Sequence, residues 1–230
     1  MSSLIAAAVF FVLLHFVVSG TRLRDAITGR IGDRVYMGLF SLVSVAGLAW
    51  LGFAFAAART DLGNAAWWTV GEASRQVQAI LQMIAFLLIV PGLMTPNPTS
   101  VHQESVLEKP DAVKGMLRIT RHPFLWGVAI WAAGHLIVNG EPASVILFGS
   151  MLVLAAFGTA SIDAKRRRAL GATYDGFVAQ TSNVPFAAIL AGRQKLSLSE
   201  IGVVRIAAAL AVWAALALGH QHLFGVPALG

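Results

Sequence analysis

The chain has 230 residues, of which 57% are hydrophobic and only 12% charged, with a mean hydropathy of +0.73. Soluble domains carry about 25% charged residues, so a water-soluble enzyme is excluded, and so is a disordered or low-complexity chain. Cysteine is absent, which excludes disulfides, thiolate zinc sites, cysteine nucleophiles and thiolate-ligated haem.

A helix needs about 20 apolar residues to cross the hydrocarbon core. The runs Ser2–Gly20, Val35–Ala58, Val77–Thr95, Pro142–Ile162 and Ile201–Phe224 are long enough, and Pro123–Gly140 is short but adequate. All are continuous rather than alternating, which rules out a barrel. The sequence therefore predicts an all-α, polytopic membrane bundle of about six helices, a single domain over residues 1–230. No Lys or Arg precedes the first run, whereas Arg22, Arg24, Arg30 and Arg34 follow it. That is the charge order of a retained helix with its N-terminus outside, not of a signal peptide. Trp67 and Trp68, after the second run, suit an aromatic belt. The third run closes on Pro91-Gly92 and Pro96-Asn97-Pro98, which is expected to break the helix. The Asn139-Gly140-Glu141-Pro142 turn makes the fourth and fifth helices a tight antiparallel hairpin. From Asp163 to Ser199 the chain is polar, with a basic helix end, Lys165 to Arg168, and reads as an interfacial element.

Net charge is +6 and the pI near 10.5, which suits either nucleic acid or a membrane surface. All of the 17 Lys and Arg except Arg59 and Arg75 fall on one side of six alternating helices. The positive-inside rule makes that side cytoplasmic and puts both termini outside. Lipid and topology account for the basic excess, and no nucleic-acid partner is needed.

Polar groups within a membrane are costly and are functional candidates by default. His15 lies in the first run and His135 in the fourth, each amid apolar residues and with no carboxylate nearby in sequence. Taken singly, each is more often a packing residue that hydrogen-bonds between helices. Two imidazoles on separate helices in a cysteine-free chain nonetheless suit haem iron, which neutral histidine can ligate from both faces. In an α-helix Ser19 and Arg22 follow His15 on its own face, and Arg22 with Arg24 could hold haem propionates. A second constellation is Thr120-Arg121-His122-Pro123. Thr120 suits an N-cap and Pro123 the first helical turn, while Arg121 and His122 make a positive spot suited to a carboxylate or phosphate. The hairpin should bring Asp163 and the Lys165–Arg168 cluster back to the same face, giving a polar pocket. By depth alone His15 pairs with His122, and His135 with His220 or His222.

The stretch TRHPFLWGVAIWAAGHLIVNGEPASVILF at 120–148 resembles the NnrU family, bacterial integral membrane proteins associated with denitrification and nitric-oxide metabolism. HFVVSGTRLRDAITGRIGDRVYMGLFSLVSVAGL at 15–48, KRRRALGATYDGFVAQTSNVPF at 165–186 and GHQHLFG at 219–225 are similar to other segments of that family. The family is similar in turn to plant and cyanobacterial 15-cis-zeta-carotene isomerase, which uses haem b. That likeness implies haem b here, with His15 and His135 as iron ligands, a membrane-soluble or small gaseous ligand, and a bacterial inner membrane with both termini periplasmic. The isomerase has a cysteine three residues before its second histidine, where this chain has Ala132, so no sulfur can replace an axial ligand. The Arg-His-Pro motif also resembles isoprenylcysteine and phospholipid methyltransferases, which implies S-adenosylmethionine near Arg121, His122, Asp163 and Gly171–Tyr174, with a lipid or prenylated substrate. A third reading is a non-catalytic membrane partner in assembly of a denitrification enzyme.

Overall fold

A computed structural model describes residues 1–228, so Leu229 and Gly230 of the expected domain lie outside the described residues. Among these the chain is a bundle of α-helices with five helices long and apolar enough to cross a membrane. α1 (Ser2–Leu13) continues as a π-helical turn, Leu14–Ser19. It ends at Gly20, and Thr21 caps the short polar α2 (Arg22–Ile31) by accepting the Leu23 amide. α3 (Asp33–Ala58) and α4 (Glu72–Leu93) follow. α5 (Met116–Ile119) precedes α6 (Pro123–Val138) and α7 (Pro142–Leu170), both with proline at the first turn, where its missing N–H costs nothing. Short helices α8 (Ala172–Gln180), α9 (Ala187–Leu190) and α10 (Leu198–Ile201) lead to α11 (Val203–Phe224).

The expected breaks and ends need two corrections. Pro91 does not itself stop the third run: α4 passes it and ends two residues later at Leu93, before Pro96-Asn97-Pro98, despite the proline's missing N–H and its crowding of the preceding turn. α7 does not end at Ile162. Its 29 residues extend about 44 Å, roughly 14 Å beyond a 30 Å hydrocarbon core, so Asp163 to Leu170 continue the helix as a polar extension. α6 has only 16 residues, about 24 Å, and is the short member of the bundle.

Neighbours run in the order α11, α4, α6, α7, α1, α3, with α4 against α6 the most extensive contact. Small residues allow this closeness: Gly127 of α6 lies so near α4 that a Cβ there would be 2.8 Å from the Ala85 carbonyl oxygen. At one end of the bundle the Met1 amine meets Asp61 at 3.1 Å, the Trp67 amide bonds the Gly140 carbonyl at 2.9 Å, and Trp68 donates to Ile137. The opposite end carries α2, the extension of α7 and the segment before α6, and holds every arginine except Arg59 and Arg75.

Candidate functional site

At the basic end, the hairpin of α6 and α7 brings Arg121, His122 and Asp163 together. Arg121 donates to Asp163 through Nε at 2.9 Å and Nη2 at 2.6 Å, and His122 Nε2 lies 2.7 Å from Oδ1. Tyr174 of α8 donates its hydroxyl at 2.7 Å and Asn183 its amide at 3.2 Å. Since a carboxylate only accepts, His122 carries its proton on Nε2. Burial pushes the His122 imidazole down, against the pull of Asp163. Burial and then Asp163 raise the Tyr174 hydroxyl, which therefore stays protonated and donating. Thr120 is not the N-cap of α6. His122 holds that position, and the buried Thr120 hydroxyl instead donates to the Asn183 carbonyl at 2.5 Å. It is drawn there because the 181–186 loop folds back over the motif, with the Arg121 amide bonding the Ser182 carbonyl at 3.0 Å.

This cluster is a closed knot rather than an open pocket: Arg121, His122 and Asp163 are all buried and satisfy one another. The Lys165–Arg168 cations do not gather on it. Arg166 bonds Glu104 and the Ser100 carbonyl, Arg167 pairs with Asp175 at 2.7 Å, and Arg168 reaches the Gly20 carbonyl at 3.2 Å. Helical rotation explains the dispersal, since successive residues point about 100° apart. Two partners had no signal in the sequence: Asn97, which donates to the Arg121 carbonyl at 2.9 Å, and the pair of Arg118 with Glu200 at 2.7 Å. Arg118 holds the Glu200 carboxyl below its ordinary range.

The two membrane histidines are presented alike. His15 Nδ1 is 2.8 Å from the Phe11 carbonyl and His135 Nδ1 is 2.9 Å from the Trp131 carbonyl. A carbonyl only accepts, so each ring is protonated at Nδ1 and, when neutral, keeps a free lone pair on Nε2. This is how metal-ligating histidines are oriented. Aromatic rings flank both: Phe11 and Phe40 at His15, Trp131 and Phe148 at His135. His220 repeats the pattern, with Nδ1 2.7 Å from the Val226 carbonyl. His222 and His102 are exposed.

Contacts with α7 fix the relative depths. His135 stacks on Phe148 with centroids 4.5 Å apart, and a Cβ on Gly20 would stand 2.5 Å from Ser161 Oγ. Phe148 and Ser161 are separated by about 20 Å of helix, and His15 sits ~7 Å back from Gly20 toward the bundle centre, so the imidazoles differ in depth by about 12 Å. Two axial nitrogens on one metal stand about 4 Å apart, twice a metal–imidazole bond. As the helices stand, the two imidazoles are too far apart in depth to hold one iron together. Nor does Arg22 continue the His15 face: the π-helical turn at 14–19 and the break at Gly20–Thr21 interrupt the α-helical spacing. Arg24 is held by Asp33 at 2.8 Å and lies over Tyr36. Among the described residues no group of three or more His, Asp or Glu could hold a metal ion.

This chain is similar to 15-cis-zeta-carotene isomerase of Zea mays, 27% identical over 191 residues that make up 82% of this chain and 50% of the relative. The isomerase of Arabidopsis thaliana is 25% identical over 197 residues, 84% of this chain and 52% of that protein. The chain thus spans about half the length of these curated relatives. No solved structure matches it. The match to the NnrU protein family runs from residue 3 to residue 228, and the chain belongs to that family.

Proposed function

We propose that this membrane protein binds haem b, whose iron His15 or His135 would hold through a free imidazole nitrogen, and acts in isomerase or redox fashion on a membrane-soluble or small gaseous ligand in nitrogen-oxide metabolism. The observation that carries the reading is the shared presentation of the two rings, Nδ1–H on a carbonyl and Nε2 free between aromatic side chains. Likeness to a carotenoid isomerase supports the reaction class. When bound, haem would supply redox or bond-isomerising chemistry. The protein supplies orientation, through the carbonyl of the preceding turn, and aromatic walls that exclude water. With Ala132 buried and no cysteine in the chain, no thiolate can exchange with an imidazole. The depth difference allows one of these histidines per iron in the observed arrangement. The setting we infer is the bacterial inner membrane, with the basic end cytoplasmic and both termini periplasmic.

The test is haem titration of detergent-purified protein with His15, His122, His135, His220 and His222 each replaced by alanine. The wild type should show a Soret band that shifts on reduction with dithionite. Loss of the band in His15→Ala or His135→Ala is expected, and identifies the ligand. Full occupancy with unchanged spectra in both variants overturns the assignment, and a colourless wild type that binds S-adenosylmethionine would transfer the protein to the methyltransferase class.

A further inference from the structure

Most arginines at the basic end have found an acceptor within the protein: Arg24, Arg118, Arg121, Arg166 and Arg167 each face a carboxylate. The other unpaired cations there are exposed to solvent, such as Arg30, Lys109 and Lys195. Lys165 is different. It is half-buried and, among the described residues, makes neither an ion pair nor a hydrogen bond. The charges that act on it are chiefly cationic, those of Arg24, Arg166 and Arg168, with Asp25 the opposing carboxylate. A half-buried ammonium with no acceptor is unfavourable unless an anion completes the site.

The surroundings say what kind of anion. On α7, Phe157, Ser161, Lys165 and Arg168 follow at intervals of four, four and three residues, which makes one stripe of the helix. Phe157 is 66% exposed, so the stripe passes from a lipid-facing aromatic ring, through a hydroxyl, to two cations. Facing it is the Gly20–Thr21 break, where α1 meets the polar end of α7 and Arg168 bonds the Gly20 carbonyl. Val17 and Leu23 on either side of the break are also exposed, at 45% and 44%. Apolar surface leading into a knot of cations at the level of the headgroups matches an amphiphile with an anionic head.

We propose that Lys165 and Arg168, at the Gly20–Thr21 break, bind the phosphate of an anionic phospholipid in the leaflet at the basic end. Phosphate oxygens accept hydrogen bonds from both the ammonium and the guanidinium, and an anionic leaflet attracts such cations. The site is about 7 Å of helix from His15 and farther from His135, and its test reads lipid retention rather than haem, so the two proposals can fail separately.

The experiment is native mass spectrometry of the full chain from detergent, titrated with phosphatidylglycerol and, for comparison, phosphatidylcholine. Wild type should retain phosphatidylglycerol at concentrations where phosphatidylcholine is lost. Lys165→Gln with Arg168→Gln should weaken retention about five-fold or more. The exposed Arg168→Gln alone, which leaves the packing intact, should weaken it by a smaller factor. Lys165→Arg keeps the charge and should stay within about two-fold of wild type. Lys109→Gln with Lys195→Gln removes equal charge elsewhere and should have no such effect. Equal losses in the two double variants, or equal retention of both lipids, would overturn the proposal. Displacement of the lipid by an equal concentration of inorganic phosphate would overturn the lipid assignment in favour of a soluble phosphate ligand.

Discussion

Asp163 accepts hydrogen bonds from Arg121, His122, Tyr174 and Asn183 while its side chain is only 10% exposed. Asp163→Asn keeps the size but removes the charge, leaving Arg121 buried without a counter-ion. Breaking a buried pair from one side costs about 3–5 kcal/mol, so a large fall in the melting midpoint of the detergent-solubilised protein is expected. Asp175→Asn breaks a pair with Arg167 whose side chains are about half exposed, and should cost less than ~1 kcal/mol. Equal shifts for the two would mean that the knot does not hold the basic end together. The meeting of Arg121, His122 and Asp163 was legible from the sequence because the short 139–142 turn forces α6 and α7 to be antiparallel neighbours. Tyr174 and Asn183 as partners were not legible, since they depend on how α8 and the 181–186 loop fold back.

At the scale of helices, closeness is set by small residues, and two glycines separate packing from mere tolerance. A Cβ at Gly127 would lie 2.6 Å from Ile89 Cγ1 and 2.8 Å from the Ala85 carbonyl oxygen, whereas at Gly149 it would meet nothing within 4 Å. Backbone cannot rotate away as a side chain can. Gly127→Ala should therefore destabilise by about 1–3 kcal/mol, as overpacked cores do, and Gly149→Ala should be neutral in the same thermal melt. A neutral Gly127→Ala would show that α4 and α6 can separate without cost. The apolar runs located these helices well because continuous hydropathy is a strong signal, but their ends were harder to place. Polar residues extend α7 through Leu170 and start α4 at Glu72, since once a helix is nucleated, polar residues continue it readily. The π-helical turn at 14–19 left no trace in the sequence pattern: apart from His15 and Ser19 its residues continue the apolar run of α1.

For the whole molecule, the row of helices gathers two sets of connections at opposite ends. The Met1 amine, Asp61, Asn64, Trp67 and the 139–142 turn touch one another at one end, with Asn64 accepting the Ala143 amide at 2.9 Å. Gly20, Arg168, Arg121 and Glu200 belong to the other. This grouping agrees with the alternation inferred from charge, and it follows from chain connectivity rather than from any membrane. Which end faces the cytoplasm is then set by cation bias alone: Arg59 and Arg75 at one end against every other Lys and Arg at the other. Translocating so many cations is costly, so the basic end should remain inside. Reporter fusions near Gln194 should therefore be cytoplasmic, and fusions after Gly230 periplasmic. A periplasmic signal near Gln194 would invert the orientation, while the same side for both would mean that α11 does not cross. The second outcome is informative in itself, because α11 packs mainly on α4 and is the least buried of the five long apolar helices. Its insertion must then come from its own hydropathy, not from support by the bundle.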